Sequence, residues 1–161
     1  MIKNLTGQIY KDTNIKLILA NQDASRHDLP FATYNITSPY IKDVGYANIT
    51  YEDTGDKLIK KRDEQYKITI SFIIHAGSEE TAIDLANKVR QWFLFYGEDY
   101  IRDLNIAVVS VGNVENRTTF MVDTYEYRHG FDVQLRLSDE QAREVEYFDK
   151  IEINGGRLNV E

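Results

Sequence analysis

Cysteine is absent from all 161 residues, which excludes a disulfide framework, thiol chemistry and thiolate metal sites. No stretch reaches the roughly 18 consecutive apolar residues of a membrane span. The opening Met1-Ile2-Lys3-Asn4-Leu5-Thr6-Gly7 lacks the apolar run of a signal peptide. The expectation is a soluble protein made and kept in a cytoplasm-like compartment, with no membrane partner. On that expectation the four Asn-x-Ser/Thr sequons, at Asn4, Asn35, Asn48 and Asn116, are products of composition. Positive charge is also scarce. The net charge is −7, whereas a groove that grips phosphates needs clustered Lys and Arg. The single basic cluster, Lys57, Lys60, Lys61 and Arg62, is hemmed by Asp56, Asp63 and Glu64 and reads as a solvated loop.

Signatures of chemistry are missing too. Neither Gly-x-Ser-x-Gly nor a phosphate-binding Gly-rich loop occurs. His27, His75 and His129 are scattered, with no His-x-x-x-His spacing for zinc. Asp53 and Asp56 flank Gly55 without the Asp-x-Asp-x-Asp-Gly register and the later glutamate of a calcium loop. The expectation is no catalytic residue, no metal and no cofactor.

What is present is ordinary globular material: 42% hydrophobic and 28% charged residues. A chain of this length forms one domain by prior and buries about 68–70% of its unfolded surface. Its eleven tyrosines suit either pleated strands or surfaces that become half-buried on assembly.

Apolar spacing predicts a short helix over Ile2 to Tyr10, with Ile2, Leu5 and Ile9 on one side. Strands follow at Ile15 to Ala20, Phe31 to Thr37 and Ala47 to Tyr51, separated by the polar stretch Asn21 to Pro30 and by Pro39, Gly45 and Gly55. Tyr66, Ile68, Ile70, Phe72 and Ile74 then alternate with their neighbours, the period of a half-buried strand. Ser78 offers an N-cap, Glu79 and Glu80 suit the first turn, and Ala82, Leu85, Ala86, Val89, Trp92, Phe93 and Tyr96 form an apolar helical stripe stopped by Gly97. A turn over Tyr100 to Asn105 leads to a strand at Ile106 to Val111.

The second strong alternation runs from Tyr125 to Leu137. Tyr125, Tyr127, His129, Phe131, Val133, Leu135 and Leu137 share one face; Glu126, Arg128, Gly130, Asp132, Gln134 and Arg136 share the other. Thirteen residues span roughly 43 Å, more than the usual strand. The strand therefore bends at Gly130 or projects as a hairpin with Thr118 to Val122. Its polar residues read as a solvated sheet face or as a subunit interface, and the excess length favours the interface. Tyr125, Glu126, Tyr127, Arg128, Asp132 and Arg136 are its candidate residues. Tyr147 to Ile153 is a candidate last strand. The expected fold class is α+β: a mainly antiparallel sheet, one major helix and a short N-terminal helix packed on one face, and a long projecting hairpin. The expected organisation is one domain over residues 1–137 and a C-terminal extension over 138–161.

Two local patterns, the second of them in two stretches, together with this order of elements resemble a known family. They are Asn21-Gln22-Asp23-Ala24-Ser25-Arg26 with Pro30-Phe31-Ala32-Thr33-Tyr34; Lys61-Arg62-Asp63 ahead of the strand and the helix; and Val111-Gly112-Asn113-Val114-Glu115-Asn116 running on to Tyr127 through Arg136. Together they look like the neck or tail-terminator proteins of long-tailed bacteriophages and phage-tail-like particles, over roughly residues 15–137. The resemblance implies a virion protein assembled in the host bacterial cytoplasm. It implies a homo-oligomeric ring, usually of six copies, on the head-proximal end of the tail tube. Its partners would be the tail tube protein and the head connector, with genome DNA passing through the channel without specific binding. Two alternatives stand beside it: another neck, head-completion or tube-associated phage protein, and a small α+β ligand-binding domain or enzyme.

Overall fold

The computed structural model describes residues 1–22, 27–43, 45–120 and 125–146. Helix α1 (Ile2–Thr13) buries Leu5 and Ile9 on one side. It runs one turn past Tyr10 because Thr13 Oγ1 donates to the Ile9 carbonyl at 2.6 Å. Asn14 then closes it in the left-handed region at φ 58, with its N–H on the Tyr10 carbonyl.

Strand β1 (Leu17–Leu19) lies parallel to β2 (Phe31–Lys42), and β2 lies antiparallel to β4 (Leu58–Ala76). Along β4 the expected alternation holds: Ile68, Ile70, Phe72 and Ile74 are buried. Helix α2 (Glu79–Gln91) starts where Ser78 Oγ accepts from the Thr81 N–H at 3.2 Å, and it buries Ala82, Ala86 and Val89. It passes directly into a π-helical turn, Trp92–Tyr96, closed by the Gly97 N–H on the Trp92 carbonyl at 2.8 Å. Tyr100 to Asn105, expected as a turn, lies largely in a third helix, α3 (Glu98–Asp103). Its six residues are too few to show a period in sequence.

Strand β5 (Ala107–Val111) pairs antiparallel with β8 (Tyr125–Val145), as do two short strands, β6 (Glu115–Asn116) and β7 (Thr119–Phe120). β7 pairs with the start of β8 at Thr119–Glu126 and Phe120–Tyr125, whereas Met121 and Val122 of the expected hairpin lie outside the described residues; β8 continues past Leu137, where the sequence ends its alternation. The strand order is β1-β2-β4-β8-β5, and β3 (Asn48–Asp53) pairs with Leu58 to Asp63 of β4. The fold is α+β, with a mostly antiparallel sheet. Tyr147 to Ile153, the candidate last strand, lies outside the described residues.

Contacts divide the chain into two compact units, Met1–Gly45 with Gln65–Ser138, and Tyr46–Glu64 with Asp139–Glu161. The first holds the core. Leu5 and Ile9 of α1, Ala86 and Val89 of α2, Trp92 and Phe93 of the π-turn and Ile101 of α3 pack on the Ile68-Ile70-Phe72-Ile74 and Phe131-Val133-Leu135 rows. Helices thus cover one face of this sheet. Leu85, expected in the stripe, is only partly buried.

The two central strands approach closely at Gly130, where an added Cβ would sit 2.4 Å from the Phe72 carbonyl oxygen. That obstacle is backbone and cannot swing aside. Gly130→Ala is expected to destabilise the protein by about 2–3 kcal/mol, in the range of overpacked cores. Urea unfolding at constant m-value measures it; a midpoint unchanged from the parent would contradict this packing.

Candidate assembly surface

The face of β4 and β8 turned away from the helices carries the polar residues, and cross-strand pairs organise them. Three clusters lie on it. At one end His75 Nδ1 contacts Glu126 Oε1, and Arg128 Nε donates to the same oxygen at 3.1 Å. His75 Nε2 is 3.1 Å from Thr33 Oγ1, and the Phe31 ring stacks on the imidazole at 4.6 Å and 7°. In the middle, Arg117 donates to Ser71 Oγ at 2.7 Å and to Asp132 Oδ1 at 3.1 Å. Further along, the Asp43 carboxylate is ion-paired with Lys67 Nζ at 2.7 Å and with Arg136 Nε at 2.6 Å.

The candidate interface residues therefore have individual fates. Asp132 is solvent-exposed and paired with Arg117. Arg136 is bound to Asp43, and Arg128 to Glu126. Glu126 is the departure from the sequence pattern: its alternation puts it with the solvated residues, yet it is 5% exposed. Burial pushes its carboxyl up, but the hydrogen bonds and charges of Arg128 and His75 outweigh that and hold it below the usual carboxylate range. Sequence reasoning missed this pair because the register that brings His75 opposite Glu126 is not written in either strand. An outward-facing His on one strand and an outward-facing Glu on another were the only available signals. Tyr127 is half-buried, and Tyr125 pairs with Phe120 in the hairpin register.

The other histidines are dispersed: His27 lies 3.3 Å from Lys16 Nζ, and His129 is buried on the helix-covered face. Among the described residues no group of three or more His, Cys, Asp or Glu could hold a metal ion, and no helix is long and apolar enough to cross a membrane.

The basic cluster, expected as a solvated loop, sits mostly on the β3–β4 ribbon of the second unit. Each charge there has a neighbour: Lys57 with Glu144 at 2.8 Å, Lys61 with Glu52, Arg62 with Glu64, and Lys60 over the Tyr51 ring at 5.7 Å. Lys57, Lys61 and Arg62 thus each carry a carboxylate partner, while Lys60 lies against an aromatic ring.

A polar sheet face closed by its own ion pairs, with hydrophobic surface elsewhere, suits a protein that works by contact. A family model described as phage neck terminator protein matches residues 2–159. The chain belongs to the phage neck terminator family. It is thus a structural component of a bacteriophage neck, at the joint between tail and head, and its family is one of structural proteins rather than enzymes. Neck terminators act on other proteins of the tail and head, so their function lies in their surfaces. No curated protein matches the chain.

Proposed function

We propose that the chain assembles as a closed ring, six copies by family resemblance, on the head-proximal end of a phage tail tube. There it stops tube polymerisation and presents its other rim to the head connector. The observation that carries this reading is the neck-terminator match over nearly the whole chain. A net charge of −7 supports a channel along which DNA slides without sticking, because like charge repels phosphates. Assembly takes place in the host bacterial cytoplasm before the neck joins the head.

The β7–β8 hairpin, with Tyr125, Glu126, Tyr127, Arg128, Asp132 and Arg136 along β8, contributes to closing the ring. Arg128→Glu would act on the subunit as well as on that contact, since it places a second negative charge against Glu126. The tail tube protein, polymerised alone and then with this chain, tests the reading. Tubes of bounded length with a ring at one end under electron microscopy are expected, together with a mass corresponding to a multiple of 18.7 kDa. Tubes that grow equally long and uncapped would overturn it.

A further inference from the structure

A second cluster of polar groups lies on the helix-covered side of the first unit. Ile83, Asn87 and Arg90 follow one another at steps of four and three residues along α2 and so share one helix face. That face looks onto Asn113 and Val114, in the segment between β5 and β6, and onto the cross-strand pair of Asn116 and His129 on β6 and β8. Together they line a cavity of about 450 Å³, formed wholly within the first unit. Among the described residues no carboxylate lines it.

The walls are held by bonds that leave donors over. Arg90 Nε donates to the Gly112 carbonyl at 2.8 Å, and the Gly112 N–H donates in turn to the Asp132 carbonyl at 2.8 Å. The loop is thereby anchored to both α2 and β8, while the terminal amino groups of Arg90 make no hydrogen bond or ion pair among the described residues. The guanidinium is half-buried. Asn116 is committed: its Oδ1 accepts the Thr118 N–H at 2.8 Å, and its Nδ2 lies 3.5 Å from Glu79. The Asn87 and Asn113 side chains are exposed, and their carboxamides are unbonded among the described residues. His129 forms the buried wall at 5% exposure, and its Nδ1 has no hydrogen-bond partner among the described residues. Buried polar atoms in this state are rare, and a group bound beside them is one of the few things that accounts for them.

We propose that this cavity binds a carboxylate group, with Arg90 as its cation, Asn87 and Asn113 as neutral donors and the His129 ring as its inner wall. The paired N–H groups of a guanidinium match the two oxygens of a carboxylate. One unpaired guanidinium also balances one negative charge; a phosphate dianion would be left undercompensated, with the Glu79 carboxylate close to Asn116. Ile83 and Val114 add apolar wall that suits a short carbon stem. An acceptor oxygen brought against His129 supplies the hydrogen bond that the imidazole lacks. With a net charge of −7 the chain repels anions in general, so binding here depends on these local donors and not on the field of the whole protein. The carboxylate belongs to a free small acid or to an acidic side chain of another neck protein, two sources with the same chemistry. The site stands independently of ring formation.

A chain with three histidines makes the test direct. The histidine ring resonances are followed by NMR as glutarate is added, and in a parallel sample as inorganic phosphate is added at the same ionic strength. Glutarate is expected to move the His129 signals saturably and to leave those of His27 and His75 in place, with phosphate much the weaker of the two. Asn87→Asp, an exposed position on α2, sets a like charge in the cavity and should raise the glutarate midpoint at least about tenfold. Asn4→Asp makes the same charge change on α1, outside the cavity, and should leave the midpoint unchanged. Arg90→Gln should abolish the response. Tail tubes then separate the sources: capping lost in Asn87→Asp marks an acidic side chain of a partner, and capping retained marks a free acid. His129 signals that stay fixed, that move without saturating or that move equally in Asn87→Asp would overturn the site. Phosphate binding as tightly as glutarate would overturn its assignment to a carboxylate.

Discussion

Trp92→Ala is expected to lower stability by about 3–5 kcal/mol, the range for a fully buried aromatic cut to alanine. At this chain length that corresponds to a melting temperature lower by about 10 °C. The indole is 1% exposed and packs edge-on against Phe93 at 5.1 Å and 90°. Phe93 in turn meets Phe72 and Phe131, so the ring joins the helical layer to both central strands. Its Nε1–H also ties the π-turn to α1 through Asp12. Trp92→Phe separates the two contributions: it keeps a ring and loses the hydrogen bond, and should cost about 1–2 kcal/mol beyond the lost volume. Thermal unfolding of the three proteins reads this directly. A Trp92→Ala protein melting within a degree or two of the parent would remove the indole from the core.

The same segment shows what sequence carries and what it does not. Ile68 to Ile74 and Phe131 to Leu137 were legible because one-sided burial in a strand repeats every two residues, and no other structure has that period. Ala82 to Trp92 was legible for the same kind of reason at helical period. Tyr96 also fits that period and is nonetheless exposed. The wider hydrogen-bond loop from Gly97 to Trp92 shifts every residue after Phe93 around the axis, and a pattern counted at 3.6 residues per turn cannot register the shift. Gly97 allows it: an added Cβ there would meet the Trp92 ring at 2.5 Å. The candidate surface was legible only as a row of alternating polar residues. Which partner each would take depends on the alignment of β2, β4 and β8, a long-range property. Hence Arg117, absent from any pattern, turns out to hold Ser71 and Asp132, and Glu126 turns out to be buried.

That burial makes the contribution of Glu126 to stability depend on pH. Removing its carboxylate leaves His75 and Arg128 without their shared acceptor in a site closed by the Phe31 ring. Breaking one partner out of a buried pair costs about 3–5 kcal/mol; with Arg128 partly exposed, Glu126→Ala is expected near the lower limit at pH 7. The sign of the pH dependence follows from linkage. The carboxyl is held lower in the folded protein than in the unfolded chain, so the unfolded state takes up its proton first as pH falls. Its contribution is therefore complete above the unfolded value of about 4.3 and fades as pH drops through the lower folded value. Parent and Glu126→Gln should differ most at neutral pH and converge as the pH falls through the lower folded value. Denaturant unfolding of both proteins across pH 3 to 7 gives the two curves. A gap that stays constant over that window would mean that the carboxylate's charge takes no part in holding β8 against β4.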